Sequence, residues 1–360
     1  MFNKLAGNDR VKELLKRMLE AGRVPGALLF SGEEGVGKKL FAVELAKAMN
    51  CRSPKGIEAC DECSTCLRIS RFNFPQSDKA EDWEQLIRTD HADVAMVLAP
   101  KRVLKVDQMR AIEREANYRP YEGKARVFLI DDADKLNDSS ANALLKTLEE
   151  PPATSHLILI TARPGMLLPT IRSRCQAIRF SPLTVDEIEA SLPREKGSKP
   201  AEVRLRSRLA RGSMGRAMQT DLEEYESRRA VVLRVLEALT LTRDRQQLLS
   251  VSEELNSAKY KDDYEEMLDI LEALIRDAWM LKLEAVEVVN EDLSSQLAKI
   301  AQGLSSDEAA RWIDEIEILR EQLIVNVNRK VATDALFLAM VDGRPAGLQY
   351  KTLTSSVRRI

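Results

Sequence analysis

A glycine-rich turn joins the apolar run ALLF, at residues 27–30, to a helical segment that starts near Lys38. The turn reads GEEGVGKK and has the spacing of a phosphate-binding loop, in which a glycine is followed by four residues, a second glycine and a lysine. A strand, a glycine loop and a helix in this order let backbone N–H groups and the positive end of the helix converge on phosphate oxygens. We therefore predict a nucleotide-phosphate site, to which the loop contributes Gly32, Gly35, Gly37, Lys38 and Lys39.

The run VFLIDDAD, at residues 127–134, supplies a second part of such a site. Its apolar residues end in Asp131 and Asp132, which places a carboxylate at the carboxyl end of a buried strand, where it can hold magnesium through water. The next residue is usually a glutamate that polarises the attacking water, and here it is the shorter Asp132. We predict that both aspartates belong to the nucleotide site.

Hydrolysis of a bound nucleotide is not expected, because Lys39 stands where a phosphate-binding loop carries Ser or Thr. The hydroxyl of that Ser or Thr is a ligand of magnesium. A lysine there brings a second cation close to the phosphates, where it either neutralises them directly or blocks the metal ion. The loop can still bind ATP, whereas we expect turnover to be lost.

Four of the five cysteines lie within sixteen positions, with the spacing C-x8-C-x2-C-x2-C. The two C-x2-C steps match the tight turns with which successive thiolates hold one tetrahedral zinc ion. An iron–sulfur cluster could use similar ligands, but nothing else in the sequence indicates redox chemistry, and disulfides are disfavoured in a cytoplasmic chain. Neither histidine, His91 or His156, is given a ligand role. The predicted ligands of a structural zinc ion are Cys51, Cys60, Cys63 and Cys66.

Proline and glycine divide the chain into two parts. Twelve of the 13 prolines lie at or before Pro200, and Gly303 is the only glycine between Arg216 and Asp342. The part after Pro200 therefore predicts helices throughout. The part before it alternates helical segments with short β-rich runs, which predicts a parallel α/β sheet with helices on both faces. The five β-rich runs are residues 27–32, 93–99, 126–134, 156–162 and 176–180.

The overall charge argues against a protein that coats nucleic acid, since 55 basic and 57 acidic side chains leave a net charge of −2. No apolar run approaches the length of about 18 residues that crosses a membrane. The N-terminal stretch MFNKLAGNDRVKELLKRMLE has the pattern of an amphipathic helix rather than that of a signal peptide. We expect a cytoplasmic protein without a membrane partner.

With these motifs the N-terminal half resembles the AAA+ clamp-loader subunits of bacterial DNA polymerase III. The four cysteines follow the phosphate-loop helix, where those subunits carry a zinc module, and SSANALLKTLEEPP (139–152) and LPTIRSRCQAIRF (168–180) are similar to two further family signatures. The stretch NVNRKVATDALFLAM (326–340) resembles the last helix of the family's oligomerising collar. The resemblance implies three domains: an AAA+ P-loop NTPase domain over 1–181 with the zinc module at 51–66, a helical lid over 182–222, and an all-α collar over 223–360.

The resemblance also implies roles for individual residues. Ser173-Arg174-Cys175 matches the family's SRC motif, whose arginine projects into the ATP site of the neighbouring subunit, so Arg174 is the predicted arginine finger acting in trans. Three positions depart from the motor subunits in the same direction, since Lys39 replaces a threonine, Asp132 a glutamate and Gly215 the sensor arginine of the lid. The chain is therefore similar to the non-hydrolysing stator of the loader rather than to its motors.

The implied partners are motor subunits of the gamma/tau kind, a delta-like subunit and, through the complex, the sliding clamp and primed DNA. The chain would then take part in the ATP-driven loading of the clamp during chromosome replication. Two alternatives remain open. The chain could be an active ATPase motor of the same family that tolerates Lys39. It could instead be a zinc-bearing DNA-binding module with a vestigial nucleotide loop, contacting phosphates through a run with eight basic and two acidic side chains from Arg194 to Arg216.

Overall fold

The computed structural model describes residues 2–76, 79–99, 103–193, 199–260, 262–284, 288–324 and 327–343. Contacts between Cα atoms divide the chain into two units. The first unit comprises Met1–Ser198 and Arg206–Gln219, and the second comprises Lys199–Leu205 and Thr220–Ile360. The division into an AAA+ domain, a lid and a collar with the boundaries given above stays a prediction. Residues 194–198, at the start of the predicted basic run, lie outside the described part of the chain.

The first unit is built on a six-stranded sheet with the order β2-β3-β4-β5-β1-β6. Neighbouring strands are parallel except β2, which runs antiparallel to β3 at one edge. The five predicted β-rich runs all contain strands, which confirms the predicted α/β sheet. The two-residue strand β2 was not predicted, because two residues are too short to show an alternating pattern. The strands are β1 Ala27–Ser31, β2 Ile87–Arg88, β3 Val94–Val97, β4 Arg126–Ile130, β5 Ser155–Thr161 and β6 Gln176–Arg179.

Helices cover both faces of this sheet, as the near-continuous burial of its central strands requires. Alternate residues of β1 face opposite sides: Phe30 packs with Leu15 and Phe41 in one core, whereas Leu29 packs with Ile112 and Leu144 in the other. The helices of the chain up to residue 219 are α1 Asp9–Glu20, α2 Lys38–Asn50, α3 Ser64–Ile69, α4 Val106–Ala116, α5 Asp138–Glu149, α6 Pro169–Arg172, α7 Val185–Ser191, α8 Pro200–Leu209 and α9 Met214–Gln219. Of these, α8 is divided between the two units after Leu205.

The second unit is helical in its described residues, as the absence of helix breakers predicted. Its helices are α10 Leu222–Glu237, α11 Arg245–Leu255, α12 Tyr264–Lys282, α13 Ser294–Gly303, α14 Ser306–Ile324 and α15 Arg329–Asp342, with a π-helical turn at Ala238–Thr242. The apolar stripe on α12 is buried within this unit, so it forms the unit's own core rather than an exposed contact surface. The stripe is Met267, Leu268, Leu271, Leu274 and Ile275. Among the described helices, none is long and apolar enough to cross a membrane.

Candidate functional site

The predicted phosphate loop connects β1 to α2 in the first unit. Gly37 caps the start of α2 with a φ of +96°, and Gly35 has a φ of +75°, a region that favours glycine. The Nζ of Lys38 donates to the carbonyl oxygens of Gly32 and Glu33 over 2.7 and 2.5 Å, so the loop itself fixes this ammonium. Burial lowers the pKa of Lys38, and nearby carboxylates oppose that shift. The loop thus has left-handed glycines at two of the predicted positions, and its lysine is held by two carbonyl oxygens of the loop itself.

Lys39 and Asp131 meet directly. The Nζ of Lys39 lies 2.6 Å from Oδ2 of Asp131, whose side chain is 15% exposed. Oδ1 of Asp131 accepts from the backbone N–H of Asp132 over 3.1 Å. The two residues are brought together because α2 starts beside β1, and Asp131 follows β4 at the same, carboxyl, edge of the parallel sheet. The carboxylate predicted to hold magnesium is therefore neutralised by a cation of the chain.

Asp132 does not face the phosphate loop with a free carboxylate. Its backbone is left-handed, with a φ of +51°, and its Oδ2 lies 2.7 Å from the Nζ of Lys135. Asp134, which follows in the same turn, accepts from the hydroxyl of Thr161 and from the guanidinium of Arg163. Burial would raise the pKa of Asp134, but these hydrogen bonds lower it below its usual range. Both carboxylates are thus engaged by groups of the first unit.

The phosphate loop is also in contact with residues 213–215, which the contacts assign to the first unit. The backbone N–H of Gly215 donates to the carbonyl oxygen of Gly35 over 3.1 Å. A Cβ added to Gly35 would lie 2.0 Å from Oγ of Ser213, and one added to Gly215 would lie 3.2 Å from Cα of Gly35. Gly215 stands at the position where the resemblance to clamp-loader motor subunits would place an arginine. Its backbone is hydrogen-bonded to the phosphate loop.

The four predicted zinc ligands lie together. Their sulfur atoms are all within 4.8 Å of one another. The Sγ of Cys51 is 3.6 Å from that of Cys60 and 3.9 Å from that of Cys63, and the Sγ atoms of Cys60 and Cys66 are 3.9 Å apart. A tetrahedron of thiolates with zinc–sulfur bonds of about 2.3 Å places sulfur atoms about 3.8 Å apart. The cluster therefore fits a tetrahedral metal ion with four thiolate ligands.

Backbone groups and a short helix hold this cluster. Cys51 directly follows α2, and Cys63 caps the start of α3. The N–H groups of Glu62 and Cys63 donate to Sγ of Cys60, as is expected around thiolates that carry negative charge. The fifth cysteine, Cys175, is buried elsewhere among apolar side chains, and this burial raises its pKa to about 12. It is an inert core residue rather than a ligand.

Arg174 follows the short helix α6. The side chain of the next residue, Cys175, is buried in the core, whereas 32% of the Arg174 side chain is exposed. Its Nε donates to Oε1 of Glu149 over 2.8 Å, its Nη2 makes an ion pair with the same oxygen, and its Nη1 donates to the carbonyl oxygen of Thr170 over 2.9 Å. The predicted finger is thus an accessible guanidinium in a defined orientation.

The sequence did not single out Glu149 or Lys135. Glu149 lies in the quoted stretch SSANALLKTLEEPP, directly before Glu150 and the two prolines. A negative charge at the carboxyl end of a helix interacts unfavourably with the helix dipole. The acidic residue at this position was therefore the available signal that Glu149 has a cationic partner. Lys135 lies three residues after Asp132, a spacing at which opposite charges meet within one turn.

Two family models match the chain, one on each part. The model described as DNA polymerase III, delta subunit, matches residues 7–184, and the model described as DNA polymerase III, delta subunit, C terminal, matches residues 227–339. The chain is 28% identical over 335 residues to the DNA polymerase III subunit delta' of Bacillus subtilis, and this match covers 93% of this chain and 96% of that protein. It is 29% identical over 331 residues to the subunit delta' of Escherichia coli, and this match covers 91% of this chain and 92% of that protein. With the subunit tau of Escherichia coli it shares 32% identity over 263 residues, which is 71% of this chain and 38% of that protein.

Proposed function

The chain belongs to the DNA polymerase III delta subunit family, and we propose that within the clamp loader of that polymerase it is a stator that does not hydrolyse ATP. Its similarity to two delta' subunits covers 96% and 92% of those proteins, whereas its similarity to a tau subunit covers 38% of that protein. Its partners are then motor subunits of the gamma/tau kind and a delta-like subunit. Through them it takes part in loading the sliding clamp onto primed DNA in the cytoplasm.

The ion pair between Lys39 and Asp131 carries this proposal. A P-loop ATPase holds magnesium between a hydroxyl at the first of these positions and a carboxylate at the second. Here an ammonium takes the place of the hydroxyl and satisfies the carboxylate, so magnesium would have to displace a cation that is covalently tethered to the site. Without magnesium the charge that develops on the γ-phosphate is not stabilised, and the chemical step is slow.

Two further observations support a site without turnover. The carboxylate of Asp132, at the position of the residue that polarises water, is paired with Lys135. Gly215 supplies only a backbone N–H, which it gives to Gly35 of the loop. This hydrogen bond joins residues 213–215 directly to the phosphate loop, which suits a subunit that keeps its shape while its neighbours cycle.

In our proposal the four cysteines form a structural zinc site, which helps the subunit to keep its shape. The chemistry of the donor set supports zinc, because four thiolates complete a tetrahedral shell and leave no position open for a substrate or water. The ion would tie the end of α2, at Cys51, to α3, and so fix a segment that contains no long run of core residues. ATP has no structural role of this kind in our proposal. The phosphate loop can hold the phosphates of ATP, but it cannot hold them together with magnesium.

Arg174 supplies the catalytic contribution of the stator in this proposal. A guanidinium is permanently charged, planar and able to hold two phosphate oxygens at once. Placed against the ATP of a neighbouring motor subunit, it stabilises the transition state for γ-phosphate transfer, a contribution worth about 10³-fold or more in rate. A subunit with no turnover of its own thus accelerates turnover in its neighbour.

The proposal is tested by reconstituting the clamp loader with Arg174→Ala. We expect unchanged assembly and zinc content, and a fall of about 10³-fold in ATP turnover at the affected motor site in the presence of clamp and primed DNA. Arg172→Ala is the matched control, since Arg172 is an exposed arginine two residues away. Equal turnover in the Arg174→Ala and wild-type complexes would refute the role of the arginine. ATP hydrolysis by the isolated chain that disappears in Lys38→Ala would instead identify an active motor subunit.

A further inference from the structure

The guanidinium of Arg174 is oriented by its own chain before a neighbouring subunit is present. Glu149 binds it through Nε and Nη2, and the carbonyl oxygen of Thr170 binds it through Nη1. A guanidinium has five N–H donors, and these contacts use three of them. The plane of the group is therefore fixed, while two N–H donors remain for a further anion.

The position of Glu149 is not explained by stability. Glu149 is the last residue of α5, where the helix dipole disfavours a negative charge. The Glu149 side chain is 48% exposed and that of Arg174 32% exposed, so the ion pair adds little to folding. A carboxylate is nevertheless present here, within hydrogen-bonding distance of the predicted finger.

The backbone on either side of Arg174 is already fixed. The buried side chain of Cys175 anchors it in the core, and the backbone N–H of Arg174 donates to the carbonyl oxygen of Ile171 over 3.1 Å. What remains free in an arginine on such a backbone is its long side chain, which loses rotamer freedom when it docks on a ligand. Glu149 removes that freedom in advance.

We propose that Glu149 is a positioning residue for the arginine finger: it orients the guanidinium of Arg174 so that the two remaining N–H donors meet the γ-phosphate of ATP in the neighbouring subunit. This inference rests on the proposed function, because it requires that Arg174 acts in trans. Glu149 itself touches no substrate. Its effect on the reaction passes entirely through the orientation of the guanidinium.

The test uses the complete clamp loader reconstituted with Glu149→Gln, which keeps the size of the side chain and removes its charge. With ATP, clamp and primed DNA present, we expect kcat of the affected motor site to fall by about tenfold, as for a weakened hydrogen bond to a charged group, while KM for ATP and assembly stay unchanged. Glu149→Asp restores the carboxylate on a shorter side chain and is expected to recover part of the rate. Glu150→Gln is the matched control, because Glu150 is the next residue and is exposed.

The double variant separates this inference from the proposed function. In the Arg174→Ala background, Glu149→Gln is expected to cause no further loss, since no guanidinium is left to orient. If Arg174→Ala does not lower turnover, the proposed function fails and this inference fails with it. If Arg174→Ala lowers turnover but Glu149→Gln leaves it unchanged, raises it, or lowers it equally in the absence of Arg174, only the positioning role of Glu149 is overturned.

Discussion

The Nζ of Lys39 lies 2.6 Å from Oδ2 of Asp131, so the second residue of α2 holds the carboxylate that follows β4. These two positions bind magnesium together in a P-loop ATPase. In this chain they bind each other, which balances the charge of the site without a metal ion. The pair is partly exposed, with 43% of the Lys39 side chain accessible, and pairs of this kind contribute at most about 1 kcal/mol to stability. Its consequence therefore concerns the chemistry of the site more than the stability of the fold.

Lys39→Thr is expected to make ATP binding dependent on magnesium, because it releases Asp131 and supplies the missing hydroxyl. Turnover should stay absent, since Asp132 remains paired with Lys135 and Gly215 still has no side chain. Equilibrium binding of ATP with and without magnesium, together with phosphate release by the isolated chain, measures both effects. Lys39→Met is the matched control, because it removes the ion pair without adding a metal ligand. Rapid hydrolysis by the threonine variant would show that Lys39 alone prevents turnover.

The isolated protein is expected to contain one equivalent of zinc, and Cys63→Ser to lower that content. Three thiolates and a hydroxyl bind zinc more weakly than four thiolates, because the soft sulfur ligand is lost. Cys175→Ser is the control, since Cys175 lies in a separate apolar core and should leave the metal content unchanged. Elemental analysis of a reduced preparation made without chelators measures the metal, and far-UV circular dichroism tests whether the helix content of the whole chain persists. A wild-type preparation free of zinc would refute the metal assignment.

Gly35→Ala is expected to destabilise the first unit by about 1–3 kcal/mol, the cost of a strained backbone at one residue. The φ of +75° disfavours an L side chain, and the new Cβ would lie 2.0 Å from Oγ of Ser213. Gly165→Ala is a suitable control, because a Cβ there has no heavy atom within 4 Å. Urea unfolding of both variants gives the comparison. Equal stability of the two variants would mean that the contact between residues 213–215 and the loop is not maintained in solution.

The sequence predicted those parts of the site in which neighbouring residues along the chain act together. The spacing of the cysteines and the glycine loop each specify a local geometry, and the structure shows both. The sequence placed Lys39 and Asp131 in the same site but did not predict their ion pair. That contact depends on the order of the strands, which places β5 between β1 and β4. The contact between Glu149 and Arg174 was missed for a similar reason, since the two residues are 25 positions apart. Long-range pairs of this kind follow from topology rather than from pattern.

The stability of the protein is expected to fall as the pH is lowered from about 7.5 to 6, because both of its histidines are buried. Burial lowers the pKa of His91, against the opposing effect of Glu122 and Asp93, and it also lowers the pKa of His156, whose Nδ1 lies 3.0 Å from the carbonyl oxygen of Pro25. An unfolded chain takes up protons near the ordinary histidine pKa of about 6.5, whereas the folded chain does so only at lower pH.

The sign of the dependence follows from that difference in protons bound. Each depressed pKa contributes stability that is fully present above about pH 6.5 and is lost progressively as the pH falls toward the folded value. The midpoint of urea unfolding, measured at pH 7.5 and pH 6 with zinc present, should therefore decrease at the lower pH. His156→Gln removes one titrating group, so the difference between the two midpoints should shrink even though the variant is less stable at both pH values. A difference as large as that of the wild type would show that His156 takes up protons equally well in the folded and unfolded chain.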